Sequence, residues 1–245
     1  MIMTVRIDGR KNDGVREIKV TRNYISHAEG SVFIEMGNTR IVCTATSEDK
    51  VPLFLRGKNT GWVTAEYGMI PGSAPQRIIR PQVTGKTKGR THEIQRLIGR
   101  SLRAVVDLEK LGARTIWIDC DVIEADGGTR TASITGGFIA LFDCLQSLVK
   151  RGVLKEIPVN AFLAAISVGI VGGEILVDLC FGEDSKAQVD MNVVMNSKDQ
   201  LIEVQSTAED TSFSREEFDK MLDKSAKAIA DIIDFQKKIL VKNIK

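Results

Sequence analysis

The sequence predicts an α+β fold built from pseudo-duplicated, mixed sheets with helices packed on them. Three observations carry this reading. β-rich runs are twice joined by short glycine turns, at Gly37-Asn38 and at Gly172-Gly173. Each half of the chain closes on a long segment whose apolar residues recur at steps of three and four. Each half also follows the same order of hairpin, further strand and helix, and helices packed on sheets are a stable way to bury both sets of apolar faces. The repetition is one of pattern, without clear identity between the halves. No linker or low-complexity segment separates them, so residues 1–245 read as a single domain.

Taken in order, Ser31 to Met36 and Arg40 to Thr46 are the first hairpin, and Gly61 to Met69 is a third β-rich run. Pro71 to Thr91 is a loop rich in proline, glycine and basic residues, too long for a passive connector. Ile94, Leu97, Ile98, Leu102 and Val105 make a helical stripe that Gly112 is expected to end. Ile116, Ile118, Cys120 and Val122 alternate with Trp117, Asp119, Asp121 and Ile123 in a strand that runs into Gly127-Gly128. Ile134, Phe138, Leu141, Leu145 and Leu148 form one stripe of the next helix. In the second half, Ala161 to Val171 and Glu174 to Phe181 form a hairpin, Gln188 to Met195 is a strand, and Leu201 to Val204 is a short one. Ser214-Arg215-Glu216-Glu217 is a capping box, opening a terminal helix with the stripe Phe218, Met221, Leu222, Ile229, Ile232 and Ile233.

Composition is ordinary for a soluble globular chain, 43% hydrophobic and 27% charged. No run of eighteen apolar residues suggests a membrane span, and the first residues lack the apolar segment of a signal peptide. Cys43, Cys120, Cys144 and Cys180 are far apart and lie in apolar patterns, as expected of buried thiols in a reducing cytoplasm rather than of zinc ligands or disulfides. The net charge is only +2, yet Arg77 to Arg103 holds eight cations (Arg77, Arg80, Lys86, Lys88, Arg90, Arg96, Arg100, Arg103) against Glu93 alone. A focused anionic partner and a solvated helix face both fit that stretch.

Chemistry concentrates in two places. In Asp126-Gly127-Gly128-Thr129-Arg130-Thr131-Ala132-Ser133, paired glycines, hydroxyls and a planar cation meet a helix start, whose free N–H groups and dipole favour a phosphate. A plain helix start with one solvated arginine is the alternative. Asp184 and Asp190 flank the entry to the Gln188 strand at an even spacing, which puts both on one side of an extended chain. Asp190 interrupts an apolar strand, where an unpaired charge is costly, so it has a task, structural or catalytic. Asp184 could be turn chemistry, and Asp178 is a weaker third candidate. His27 and His92 lie beside no promising Ser or Cys motif, and neither a P-loop nor Gly-x-Gly-x-x-Gly occurs. A phosphate cradle, a basic surface and carboxylates without a nucleophile suit phosphoryl transfer, which relies on positioning and charge neutralisation.

Gly89-Arg90-Thr91-His92-Glu93-Ile94-Gln95-Arg96-Leu97-Ile98-Gly99-Arg100, Ile118 to Val122, Asp126 to Thr131 and Glu183-Asp184 through Asn192 resemble the RNase PH family of phosphorolytic exoribonucleases, as do Gly9-Arg10 and Asn38-Thr39-Arg40. The likeness runs over nearly the whole chain. It implies the ribosomal protein S5 domain 2-like fold and a phosphate-dependent 3′→5′ exoribonuclease, or nucleotidyltransferase, that trims the 3′ ends of tRNA precursors and other RNA. It implies inorganic phosphate as co-substrate, Mg²⁺, a homohexamer arranged as a trimer of dimers, and the cytoplasm. By motif match, Arg90, Gly128, Thr129 and Arg130 would bind phosphate. Asp190 would protonate the leaving 3′ oxygen, Asp184 would help hold Mg²⁺, and both are candidate catalytic and metal residues. Arg77, Arg80, Arg96 and Arg100 would contact RNA. One departure stands out: Gly72, Ile79 and Thr84 stand where the resemblance leads one to expect arginines, so tRNA should bind more weakly and with a shallower salt dependence than in arginine-rich members. The competing readings are a non-catalytic RNA-binding ring subunit and a small-molecule kinase on a related fold. The acidic pair argues against the first, and the lack of a glycine-rich ATP loop against the second.

Overall fold

A computed structural model describes residues 6–80, 83, 85, 89–209 and 212–241. Lys86, Lys88 and Thr84 of the basic loop lie outside the described residues. Strands β1 (Ile18–Arg22), β2 (Gly30–Met36), β3 (Thr39–Glu48), β4 (Trp62–Met69) and β5 (Thr115–Glu124) form one sheet in the order β1-β2-β3-β5-β4. Strands β6 (Leu163–Val171), β7 (Glu174–Val177), β8 (Val189–Asn196) and β9 (Leu201–Ala208) form a second in the order β7-β6-β8-β9. The first sheet is mixed, because β4 and β5 are parallel and joined by a helical crossover. The second is antiparallel throughout. Both expected hairpins are present, with Met36 opposite Thr39 and Val171 opposite Glu174.

Helix α1 (Gly89–Arg103) buries Ile94, Leu97, Ile98 and Leu102 against β4. It does not continue to Gly112 as its stripe suggested. Val106 leaves the helix to bridge Val159, and a separate turn, α2 (Leu108–Leu111), begins at Asp107, whose carboxylate accepts from the Lys110 N–H at 3.0 Å. Helix α3 (Thr129–Lys150) packs on β2, β3 and β5 of the first sheet and on β6 of the second. Every residue from Thr131 to Leu145 is therefore buried, not a single stripe. By length and composition α3 could cross a membrane, although no run of eighteen apolar residues marks it; here it is the helix between two sheets. After β7, Phe181 belongs not to a strand but to a short helix, α4 (Phe181–Asp184). Strand β9 runs four residues past Val204. Helix α5 (Arg215–Val241) starts at the expected capping box, Ser214 Oγ accepting from Glu217 N at 3.1 Å, and lies on β6, β7 and β8. One apolar cluster runs through both sheets, and all four cysteines are buried and free.

Candidate active site

The junction from β5 into α3 is shaped by two glycines with left-handed backbones, Gly127 at φ +75° and Gly128 at φ +64°. Gly127 has a second reason to lack a side chain: a Cβ there would lie 2.4 Å from the Leu179 carbonyl oxygen and 2.9 Å from Phe181 N. Gly128 is the N-cap of α3 and offers no side chain to its N–H groups. The first intrahelical bond runs from Ala132 N to Gly128 O at 2.9 Å, so the N–H groups of Thr129, Arg130 and Thr131 point out of the helix start. This concentrates donors and the positive end of a 22-residue helix at one spot.

The cradle is clamped from behind. Arg16 donates to the Asp126 carbonyl at 2.5 Å, and the Thr39 hydroxyl donates to the Gly127 carbonyl at 2.6 Å. Arg16 is itself held by Asp178, which accepts from its backbone N, Nε and Nη2 at 2.8, 2.9 and 2.7 Å. Burial works against the Arg16 charge, and the Asp178 carboxylate overcomes it, leaving the guanidinium pKa raised. Beside this pair, Arg6 bonds Glu183 with Nε and Nη2 at 2.8 and 2.6 Å, so the start of the chain ties down α4. Asp178, fully buried and locked to Arg16, does not line the cavity, which corrects its candidacy as a chemical carboxylate.

Of the three hydroxyls in the glycine segment, only that of Thr129 faces the cavity, and it accepts a bond from Tyr67 OH at 2.9 Å. Thr131 turns back to the Gly128 carbonyl, and Ser133 is buried in the core. Arg130 is steered by two residues from other elements. Its Nη1 donates to Gln205 Oε1 at 2.6 Å, and Gln205 Nε2 donates to Glu93 Oε1 at 2.8 Å. Glu93, the one acid of the basic stretch, is thus an orienting group 3.7 Å from Arg130. Arg90, on the first turn of α1, lines the same cavity.

That cavity, of about 310 Å³, brings Arg90, Gly128, Thr129 and Arg130 together with Asp184, Asp190, Asn192 and Phe181. Asp184 and Asp190 do not meet through an extended chain, because α4 and a turn intervene. They meet because α4 turns the chain just ahead of the start of β8, and both carboxylates then line one cavity. Burial raises the Asp190 pKa, the nearby Asp184 carboxylate raises it further, and Arg130, the Asn192 amide and Arg90 only partly oppose this. Asp184 is exposed at the rim; desolvation raises its pKa too, against Arg90 and Arg130. Asn192 donates to Asp190 Oδ2 at 3.3 Å from the same face of β8. No cluster of three or more metal-binding side chains occurs among the described residues. A carboxylate close enough to raise the pKa of its neighbour, as Asp184 does for Asp190, suits a hard cation that takes oxygen ligands and keeps most of its water. A larger cavity of about 410 Å³ beside α3 is lined by Arg22 and Asp143, already joined to each other, and sits away from all of these groups.

The four arginines expected to meet RNA are exposed and lie outside the cavity. Arg77 and Arg80 are on the loop after β4, and Arg96 and Arg100 are on one face of α1, where Arg100 is paired with Glu203 at 2.7 Å. Sequence reasoning missed Gln205, Tyr67, Asn192, Arg6, Arg16 and Glu183. Only pairing across distant segments reveals them, apart from Asn192, whose place beside Asp190 on an alternating strand was a usable signal.

Comparison with known proteins gives a consistent picture. Residues 14–145 match the 3′ exoribonuclease family, domain 1, and residues 161–228 match domain 2 of that family. The ribonuclease PH proteins of Bacillus cereus strains G9842 and AH187 are each 54% identical over 237 residues, covering 96% of this chain and 97% of theirs. Among solved structures, a chain of the Archaeoglobus fulgidus exosome with RNA bound to the active site superposes with a TM-score of 0.79 at 23% identity, over 94% of this chain and 91% of that one. Rice Rrp46 superposes at 0.75 with 20% identity, over 96% and 100%. At such identities these two speak for the fold.

Proposed function

This chain belongs to the 3′ exoribonuclease family of RNase PH type, and we propose that its glycine cradle holds the inorganic phosphate with which it trims RNA. The enzyme is a phosphorolytic 3′→5′ exoribonuclease. The observation that carries our assignment of roles is the meeting of Arg90 and the Gly128-Thr129-Arg130 cradle with Asp184 and Asp190 in one cavity.

The chemistry follows from that arrangement. The α3 N–H groups and the Arg130 and Arg90 guanidiniums neutralise hydrogen phosphate and aim an oxygen at the terminal phosphodiester. Gln205 and Glu93 hold Arg130 in place, so little reorganisation is needed at the moment of attack. The new P–O bond forms as the bond to the 3′ oxygen of the penultimate nucleotide breaks. That oxygen leaves with the electron pair and takes a proton from Asp190, whose raised pKa keeps it protonated to higher pH than an ordinary carboxyl. The products are a shortened RNA with a free 3′ hydroxyl and a nucleoside diphosphate. Asp184, beside Asp190, would help hold Mg²⁺, which when bound would supply charge neutralisation at the phosphate oxygens.

The substrates we assign are tRNA precursors and other RNA 3′ ends, with Arg77, Arg80, Arg96 and Arg100 gripping the RNA body. The working assembly is a homohexamer, a trimer of dimers, in the cytoplasm, where four free buried thiols persist. We treat 1–245 as one folding unit, a reading supported by the apolar cluster common to both sheets.

The test is a 3′-extended tRNA incubated with enzyme and Mg²⁺, with and without inorganic phosphate, and its products resolved by chromatography. Nucleoside diphosphates that appear only with phosphate are the expected result. Monophosphates formed without phosphate would overturn the mechanism, and absence of shortening would favour a non-catalytic RNA-binding subunit.

A further inference from the structure

Phe181 stands at the mouth of the cavity with 51% of its surface open to solvent. It is the one aromatic ring among the described residues lining the cavity, and it packs into neither apolar cluster. Its backbone is nonetheless rigidly placed. Phe181 N donates to Asp126 Oδ1 at 3.1 Å, and Gly127 approaches so closely that no side chain fits between them. Phe181 and Asp184 are three residues apart on α4, hence on one face, and both line the cavity. A large apolar ring held open to water beside two guanidiniums and two carboxylates forgoes the gain of burial until something flat covers it.

We infer that Phe181 is the stacking platform for the base of the 3′-terminal nucleotide, the one released as the diphosphate. This rests on the phosphorolytic reading above. Phe181 is fixed to the Asp126-Gly127 end of the cradle, and the nucleotide whose phosphorus bonds to the cradled phosphate is the terminal one. Its base, unpaired and one sugar away from that phosphorus, therefore falls at the ring. Proteins take up unstacked RNA bases on aromatic faces, and such stacking tolerates every base because each has a π face. An enzyme that removes successive nucleotides of any identity needs that tolerance at its terminal subsite. The polar groups around the ring are engaged with phosphate and acid chemistry, which leaves the base to be held by its face.

The experiment measures the reverse reaction with each of the four nucleoside diphosphates for Phe181→Ala, Phe181→Leu and Phe181→Tyr. Phe181→Ala and Phe181→Leu are expected to raise the KM for every diphosphate about 5- to 150-fold, while the KM for inorganic phosphate in the forward direction moves less than about twofold. Phe181→Tyr should restore the diphosphate KM. An unchanged diphosphate KM in Phe181→Ala would overturn the assignment, as would full retention in Phe181→Leu, which would mean that a ring is not required. A rise in the KM for RNA alone would put the ring under the penultimate base instead. Equilibrium dialysis of labelled diphosphate against wild type and Phe181→Ala reads the platform without turnover. Weaker binding by the variant supports it and equal binding refutes it, even if phosphate-dependent release from RNA, and with it the phosphorolytic reading, were to fail.

Discussion

Replacing Asp178 by asparagine should be among the most damaging single changes to this fold, although Asp178 touches no substrate. Its carboxylate is fully buried and receives three bonds from Arg16, whose side chain is itself only 5% exposed. Removing one partner of such a pair leaves a desolvated guanidinium without its counter-charge, at a cost of about 3–5 kcal/mol. Against a total stability of about 5–15 kcal/mol, that is a large share. With a urea slope of about 2–3 kcal/mol/M, the midpoint should fall by about 1–2.5 M at pH 7. Because Arg16 also holds the Asp126 carbonyl, the KM for phosphate should rise as well. The control is Asp190→Asn, for which the sign is opposite. Burial and the Asp184 charge raise the folded-state pKa of Asp190 above its unfolded value. Its contribution to stability is therefore full only below the unfolded pKa and is lost as pH rises through the folded one. At pH 7 the wild type carries the cost of that charge and the amide does not, so the Asp190→Asn midpoint should rise. Equilibrium unfolding of both variants at one protein concentration tests the pair. A loss below about 1 kcal/mol for Asp178→Asn, or a shift of both variants in the same direction, would refute this account of the two carboxylates.

Asp190→Asn should also bind phosphate nearly as well as wild type and lose turnover; retained turnover would remove Asp190 as the acid. In wild type, phosphorolysis should decline as pH rises through the raised Asp190 pKa while the reverse reaction, which needs the ionised carboxylate, gains, and paired pH profiles of the two directions check this. Gly127→Ala meets backbone atoms at 2.4 to 2.9 Å as well as an unfavourable φ, and should cost about 3 kcal/mol and lower turnover by displacing α4, as read by thermal unfolding and steady-state kinetics. Gly72→Arg with Ile79→Arg, both at exposed positions, should tighten tRNA binding and steepen its salt dependence by about one unit of log–log slope per new phosphate contact, measured by filter binding over a salt series.

Much of the fold was legible because it depends on local periodicity. The two hairpins, the strand leading into Gly127-Gly128 and the capping box at Ser214 each follow from turn chemistry or alternation over a few residues. The errors have physical reasons. The stripe of α1 includes Val105, although the helix ends at Arg103, because Val105 is buried in the core by tertiary packing and not by helical continuation. The short strand expected at Leu201 to Val204 continues in the structure to Ala208, through Gln205, whose side chain steers Arg130. The parallel pairing of β4 with β5 leaves no mark in either strand's own pattern.

The residue types of the site were set by the sequence alone: a glycine cradle at a helix start, Arg90 and Arg130, and two aspartates that interrupt or border an apolar strand. Those signals are local, because they are exceptions to a short-range pattern. Their convergence was decided only by the tertiary structure. Asp184 reaches Asp190 because α4 turns the chain back, Glu93 becomes a support because Gln205 arrives from the far edge of the second sheet, and Asp178 becomes a strut because Arg16 closes over it. Each of these depends on contacts between segments more than a hundred residues apart, or on a turn that breaks the strand period. In both cases the energy lies in pairing and burial, which no single segment carries.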